Sequence, residues 1–527
     1  MSITRPGSDP YLPGHGDASY SVRRYALDLA YKVETNRLDG TATLSCQVHE
    51  DTGALHLDLY GLQVSSVKLD GKPVKHSHHG GDLTLKSSFT AGQEATIEVR
   101  YGGKPRPVRS RLHGPTGWEE LEDGVIVAAQ PHGAPSWFPC NDRPDDKAVY
   151  EISLAANPAY HVAVSGELEG KRRKGNATTW SYRQDVPMPT YLATVQIGRY
   201  TEVPHRGASV PVRSLVPAGV GAKELAPGFA RQPEMLELFA RLYGPYPFPS
   251  YTAVITEDEL EIPLESQALS TFGRNHLAED WEAERLIAHE LSHQWFGNAV
   301  TLERWQDIWL HEGFACYSEW LWAEETGRST VEEETRRHHA ALAELPEDLL
   351  VADPGPELMF DDRLYKRGAL ALHALRRRVG DESFFPLIQS WLAQNLGGSV
   401  TTEMFEEHAA HESGEDLTDL LPRGSTTRSC RTCPISRSPA SPPIGGCGPS
   451  SRAVDGRALR PTGTARSAVA RARPRRRGLA RADGSDAVSS ATAPPGSRTR
   501  RAPRPRADHA PRGAPRASGC AARCRGA

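Results

Sequence analysis

Apolar residues recur at every second position through much of the first 200 residues of this sequence, and that spacing gives way to a helical one after about residue 225. Tyr25, Leu27, Leu29, Tyr31 and Val33 alternate with mostly polar neighbours, the mark of a strand buried on one face. Leu55, Leu57 and Leu59, then Leu83 and Leu85, then Ile97, Val99 and Tyr101 repeat the pattern. Turn formers separate these runs at Asp70-Gly71-Lys72, Gly80-Gly81-Asp82, Ala91-Gly92 and Gly175-Asn176. The reading is an N-terminal extension over 1–14 and a mostly antiparallel β domain over 15–205.

Beyond it, Phe229, Met235, Leu236, Leu238, Phe239 and Leu242 fit one helical face, closed by Gly244-Pro245. A short β segment is expected over 251–273. Helices are expected over 281–297, 307–326, 331–344, 366–379, 381–395 and 401–413. Together these make an α+β domain over 206–420, so the fold class is a multidomain α+β chain.

From Leu421 to Ala527 the character changes again. This stretch has 23 Arg, no Lys, no Glu and no aromatic residue, for a net charge of +19, against −23 for the residues before it. No period of 2 or 3.6 persists, so the stretch reads as a disordered Arg/Pro/Ala-rich tail. It could be a basic arm for RNA or acidic partners, a degenerate linker, or an out-of-frame translation of a GC-rich gene. The abrupt onset after Leu420 and the Lys-free composition favour the last. Cys430 and Cys433 have half of a zinc-finger spacing with no second half at a suitable distance.

Cys46, Cys140 and Cys316 are too scattered for a disulfide framework, which fits a reducing compartment. The first 16 residues lack the apolar core of a secretory signal, and no run of about 18 apolar residues suggests a membrane span. The expectation is a cytoplasmic protein with no membrane partner, and nucleic acid is not the favoured partner. No oligomeric state is assigned. His76, His78 and His79 read as a solvated loop, Lys171 to Lys174 as a charged hairpin tip, and the Asn176 sequon carries little weight.

His289-Glu290-Leu291-Ser292-His293 is an HExxH motif. On a helix, positions i and i+4 share a face, so both imidazoles reach one ion while Glu290 faces a water. Glu312, in Trp309-Leu310-His311-Glu312-Gly313, supplies a carboxylate from a second helix. Two His and one Glu leave a fourth position open, as catalytic zinc requires. One Zn2+ ion is expected. It would lower the pKa of water toward about 7, with Glu290 taking the proton and passing it to a leaving amine.

The stretch from His289 to Asn298, followed by Trp305-Gln306-Asp307-Ile308-Trp309-Leu310-His311-Glu312-Gly313-Phe314-Ala315, resembles the aminopeptidase N family of zinc peptidases, which includes leukotriene A hydrolases. The similarity covers roughly residues 15–420. It implies a β domain followed by a thermolysin-like catalytic domain. Tyr365-Lys366-Arg367-Gly368-Ala369 is similar to the family's Tyr-x-Lys-Gly-Ala stretch, which implies that the Tyr365 hydroxyl stabilises the oxyanion. Ile262-Pro263-Leu264-Glu265-Ser266 stands where the family has Gly-Ala-Met-Glu-Asn, which implies that Glu265 binds the free α-amine of a peptide. Gln130 matches a family glutamine that contacts substrate, and His132 replaces a common second glutamate. The implied function is release of N-terminal residues from peptides with a free N-terminus. The alternatives are a non-catalytic zinc-bound binding protein, a truncated inactive member, or a nucleic-acid binder acting through the tail.

Overall fold

The computed structural model describes residue 5, residues 7–221 and 225–418, and residue 420. The expectations for the tail, Cys430 and Cys433 included, lie outside these residues.

The alternating residues of the first half form the strands they predict. Tyr20–Lys32 pairs antiparallel with Arg37–Val48 and parallel with Ala148–Ala156. These strands lie at the centre of an eight-stranded sheet. Tyr25, Leu27, Leu29 and Tyr31 all face its core, while Val33 falls in a 3-10 turn past the strand end. A three-stranded sheet (Thr52–Asp58, Asp82–Phe89, Lys75–His79) and a five-stranded sheet complete this half.

His76, His78 and His79 lie on a strand, not in the expected loop, and His78 Nε2 contacts the Leu59 carbonyl at 2.8 Å. Lys171 to Lys174 sit on Glu167–Lys174, the outermost strand of the large sheet, ahead of the Gly175-Asn176 turn. Charge there discourages edge-to-edge pairing.

A second five-stranded sheet has the order Tyr200–His205, Val212–Pro217, Tyr251–Ile255, Leu269–Phe272, Leu264–Ser266. Tyr200–His205 hydrogen-bonds into this sheet and not into those before it. We therefore propose to divide the two halves near Arg199 and not at 205. The expected β segment 251–273 is three short strands, with 256–263 an irregular loop.

Eight helices are described: α1 (Pro227–Ala230), α2 (Gln232–Tyr243), α3 (Trp281–Ser292), α4 (Trp309–Glu325), α5 (Val331–Ala343), α6 (Asp362–Val379), α7 (Asp381–Asn395) and α8 (Thr402–Ser413). Helix α3 stops short of the expected 297. His293 is its C-cap, and the chain then turns through Gly297 at φ +123°, a conformation that favours glycine. Helix α6 starts earlier than the expected 366, because the Asp361 carboxylate caps it by accepting the Arg363 N–H. The two halves are clasped by Lys147, whose Nζ donates to the carbonyls of Gly398 (2.7 Å) and Ala299 (3.2 Å). Among the described residues, no helix is long and apolar enough to cross a membrane, and Cys46, Cys140 and Cys316 are free and buried.

Candidate metal centre and cleft

Asp280 starts α3 by accepting the Ala283 N–H, and Glu282 and Glu284 fall in its first turn, where the helix dipole favours negative charge. The helix carries His289 and Glu290 into the interior, with His293 at its end. Helix α4 packs alongside and presents Glu312 in its first turn. All four side chains are buried.

The two helices close on one point. His289 Nε2 lies 3.4 Å from Glu312 Oε2, and His293 Nε2 lies 3.5 Å from the same oxygen. Donors about 2.0–2.1 Å from a tetrahedral zinc are about 3.3–3.4 Å apart. The donor set therefore fits that ion in chemistry and spacing, with one ligand atom from each residue lying within 4.8 Å of the others. A second group, Glu265, Glu290 and His293, meets the same distance test. It offers one imidazole and shares His293, so it belongs to the same centre and is not a separate one.

Charge is concentrated here. Burial works against both imidazolium forms. Even so, the hydrogen bonds that His289 donates to Glu312 and Glu319 raise it to about 9, and Glu265 and Glu312 raise His293 to about 10. Burial also opposes a charged Glu312, yet the two histidines outweigh it and hold the carboxylate well below its usual range. Glu290 has no such direct partner. Burial, aided by Glu265, raises it to about 8, and its Oε2 is buried without a hydrogen bond.

Glu319 was missed by the sequence reading. Its Oε1 accepts the His289 Nδ1 proton at 2.7 Å, while Arg285 contacts Oε2 at 3.2 Å. A carboxylate behind a metal-facing histidine fixes its tautomer and ring orientation. The available signal was its position on α4, two turns beyond Glu312.

Glu265 lies on the edge strand Leu264–Ser266, next to α3. The turn that follows places Ala268 at φ +61°, where its N–H donates to Gln294 Oε1 (2.8 Å). Gln294 and Asn298 both donate to the Ser266 carbonyl, at 3.2 and 3.1 Å. The segment just after the metal-facing histidines thus holds the Glu265 strand. Gln130, from the β half, donates its Nε2 proton to Glu265 Oε1 at 2.7 Å. Burial raises the Glu265 carboxyl. His132 is also buried, with Nδ1 3.0 Å from Thr116 Oγ1, and burial lowers it to about 4.

Tyr365 stacks near His289, with ring centroids 6.1 Å apart. It lies in the first turn of α6, which crosses α4 backbone to backbone. A Cβ added to Gly313 would come within 2.9 Å of Gly368 Cα, and one on Gly368 within 2.8 Å of Gly313 Cα. All seven residues singled out from the sequence therefore converge on one region.

Two buried histidines and a glutamate on adjoining helices form a donor set able to hold one metal ion with a position left open, and a third helix brings a tyrosine beside it. Residues 21–192 match the Peptidase M1 N-terminal domain and residues 229–423 the Peptidase family M1 domain. The chain belongs to peptidase family M1. It is 25% identical over 392 residues to a leucyl aminopeptidase of Saccharolobus solfataricus, covering 69% of this chain and 48% of that protein. It is 25% identical over 434 residues to the leukotriene A-4 hydrolase of Xenopus laevis, covering 76% and 70%. The chain spans about half the length of the archaeal aminopeptidases it matches. An M1 zinc metallopeptidase from Deinococcus radiodurans superimposes with a TM-score of 0.71 at 29% identity, covering 78% of this chain and 95% of that one.

Proposed function

We propose that this chain is a zinc aminopeptidase that removes N-terminal residues from peptides with a free α-amine. The observation that carries this reading is the placement of Glu265, buried against Gln130 and within reach of Glu290 and His293. A carboxylate at that point pairs with an ammonium and closes the cleft beyond it. Binding is then strongest when one residue precedes the scissile bond. Relatives named as aminopeptidases, and the Deinococcus enzyme solved with a bound Tyr-Ser-Ala substrate, support it.

His289, His293 and Glu312 would hold one zinc ion, which supplies a lowered water pKa and a polarised carbonyl. Glu290 takes the proton of the attacking water and delivers it to the leaving amine. Its raised pKa suits a group that must do both near neutral pH. The Tyr365 hydroxyl donates to the oxyanion as the carbonyl becomes tetrahedral. Glu265 and Gln130 fix the amine, which sets where the carbonyl lies. A cytoplasmic setting belongs to the same reading, supported by three free, buried cysteines.

Metal analysis with aminoacyl-anilide assays tests this. The wild type should carry one zinc and release the anilide, Glu290→Ala should keep the zinc and lose turnover, and N-acetylated substrates should be poor. Retained activity in Glu290→Ala refutes the mechanism. Equal cleavage of N-acetylated peptides refutes the Glu265 role. Stoichiometric zinc with no turnover on any aminoacyl substrate favours a non-catalytic binding protein.

A further inference from the structure

The segment ahead of the first strand reads as an extension in the sequence, but its contacts reach the two segments that lead into α4, which carries Glu312, and α6, which carries Tyr365. Asp9 Oδ2 accepts the Trp305 N–H at 2.8 Å, and its Oδ1 accepts the Tyr11 N–H at 2.8 Å. Trp305 opens a 3-10 turn, Trp305–Asp307, that runs directly into α4 and Glu312. Tyr11 is buried, and its hydroxyl donates to the Asp353 carboxylate and accepts the Gly355 N–H at 2.7 Å. Asp353 and Gly355 lie in the loop that leads into α6 and Tyr365.

The same segment is anchored in the β half. Arg5 donates to Asp58 Oδ1 at 2.8 Å, and the Gly16 N–H to Asp58 Oδ2 at 2.9 Å. His15 Nδ1 lies 3.1 Å from Asp142 Oδ2, and its ring centroid is 5.4 Å from that of His132, two residues past Gln130. Pro10 and Pro13 restrict the backbone between these anchors. The segment is thus a short strap tied at both ends to the β half and, between them, to the entries of α4 and α6.

We propose that Asp9 and Tyr11 are positioning residues, which fix the Glu312 helix and the loop entering the Tyr365 helix relative to one another and to the β half. The proposal rests on the aminopeptidase reading for its kinetic consequence but not for its metal consequence. Displacing Tyr365 affects a contact made at the oxyanion and not one made to the bound amine. Small misplacements of reacting groups are costly, so Tyr11→Phe, which keeps the ring and removes only the hydroxyl, should lower kcat about tenfold with KM changed less than about twofold. Asp9→Ala should weaken zinc binding several-fold. Asp9→Asn, which keeps one carbonyl acceptor, should restore part of that loss.

The test uses the full chain. Zinc affinity is measured by competition with a chromogenic chelator, kcat and KM on leucine p-nitroanilide with saturating zinc, and thermal melting on each variant. Zinc affinity and kcat within about twofold of wild type in both Asp9→Ala and Tyr11→Phe overturn the proposal. A kcat loss in Tyr11→Phe that vanishes once rates are normalised to folded, zinc-loaded protein also overturns it. A wild type with no turnover sinks the aminopeptidase reading, and the zinc measurements on Asp9→Ala and Asp9→Asn then decide the strap alone.

Discussion

Replacing Glu319 tests whether metal binding depends on a carboxylate set behind His289. His289 is held from both sides, with Nε2 facing Glu312 and Nδ1 bonded to Glu319 at 2.7 Å. The Glu319 carboxylate is itself held well below its usual range, because Lys366, Arg285 and His289 together outweigh the cost of burying it. In Glu319→Ala the imidazole loses its acceptor, its fixed tautomer and the negative charge that strengthens it as a donor. Loss of such an outer partner costs about 10–100-fold in metal affinity. That range is about 1.4–2.7 kcal/mol. Glu319→Gln keeps a neutral acceptor and should fall at the mild end. Competition against a chromogenic chelator at pH 7.5 measures the affinity, with melting in excess chelator to follow the metal-free fold separately. Zinc held as tightly in Glu319→Ala as in the wild type would refute the reasoning.

Further outcomes follow from the same geometry. Tyr365→Phe should lower kcat by about 10²–10³ with zinc content and KM little changed, as for loss of one oxyanion donor, and steady-state kinetics check it. Glu265→Ala should raise KM for free-amine peptides and narrow the preference over N-acetylated ones, read from paired substrates. Zinc uptake at pH 7 should release protons, since the surrounding carboxylates push His289 and His293 up to about 9 and about 10; calorimetry in buffers of different ionisation enthalpy counts them. Burial lowers His132 to about 4, so between that value and its ordinary 6.5 the unfolded chain binds more protons. Stability should therefore fall as pH drops from about 6.5 to 4, by on the order of 3 kcal/mol from this residue. His132→Gln should flatten the melting-temperature profile in that window.

Much of this architecture was legible because its signals are local. Alternation at Tyr25 to Tyr31 is enough to place a strand, since the side-chain period is set by the backbone. His289, Glu290 and His293 share one helix, and Glu312 follows in a stretch with its own family resemblance. The losses fall where the determinant is tertiary. Glu319 gains its place only because α3 and α4 lie side by side. Asp9 and Tyr11 sit in a Pro- and Gly-rich stretch with no periodicity, so their ties to Trp305, Asp353 and Gly355 leave no trace in local pattern. Tyr200–His205 reads as one more strand of the first half because alternation does not reveal which sheet receives it. The early end of α3 depends on a tight turn at Gly297, whose single glycine is a weak stop signal in an otherwise helical pattern.

The Gly313–Gly368 crossing has a consequence for how such an enzyme can diversify. Glu312 precedes one of these glycines and Tyr365 lies one helical turn before the other, so main-chain contact sets the gauge between them and no rotamer can take up slack. Even one methyl group at either glycine would push the helices apart and alter that gauge. The irregular loop 256–263, which leads into the Glu265 strand, is pinned at Leu260 by its close approach to Gly273, but its tip at Glu261 and Ile262 is exposed and carries no comparable constraint. Mutational searches for altered substrate preference should therefore succeed at that tip and stall at the crossing, so that what is bound can drift while how it is cut stays mechanically fixed.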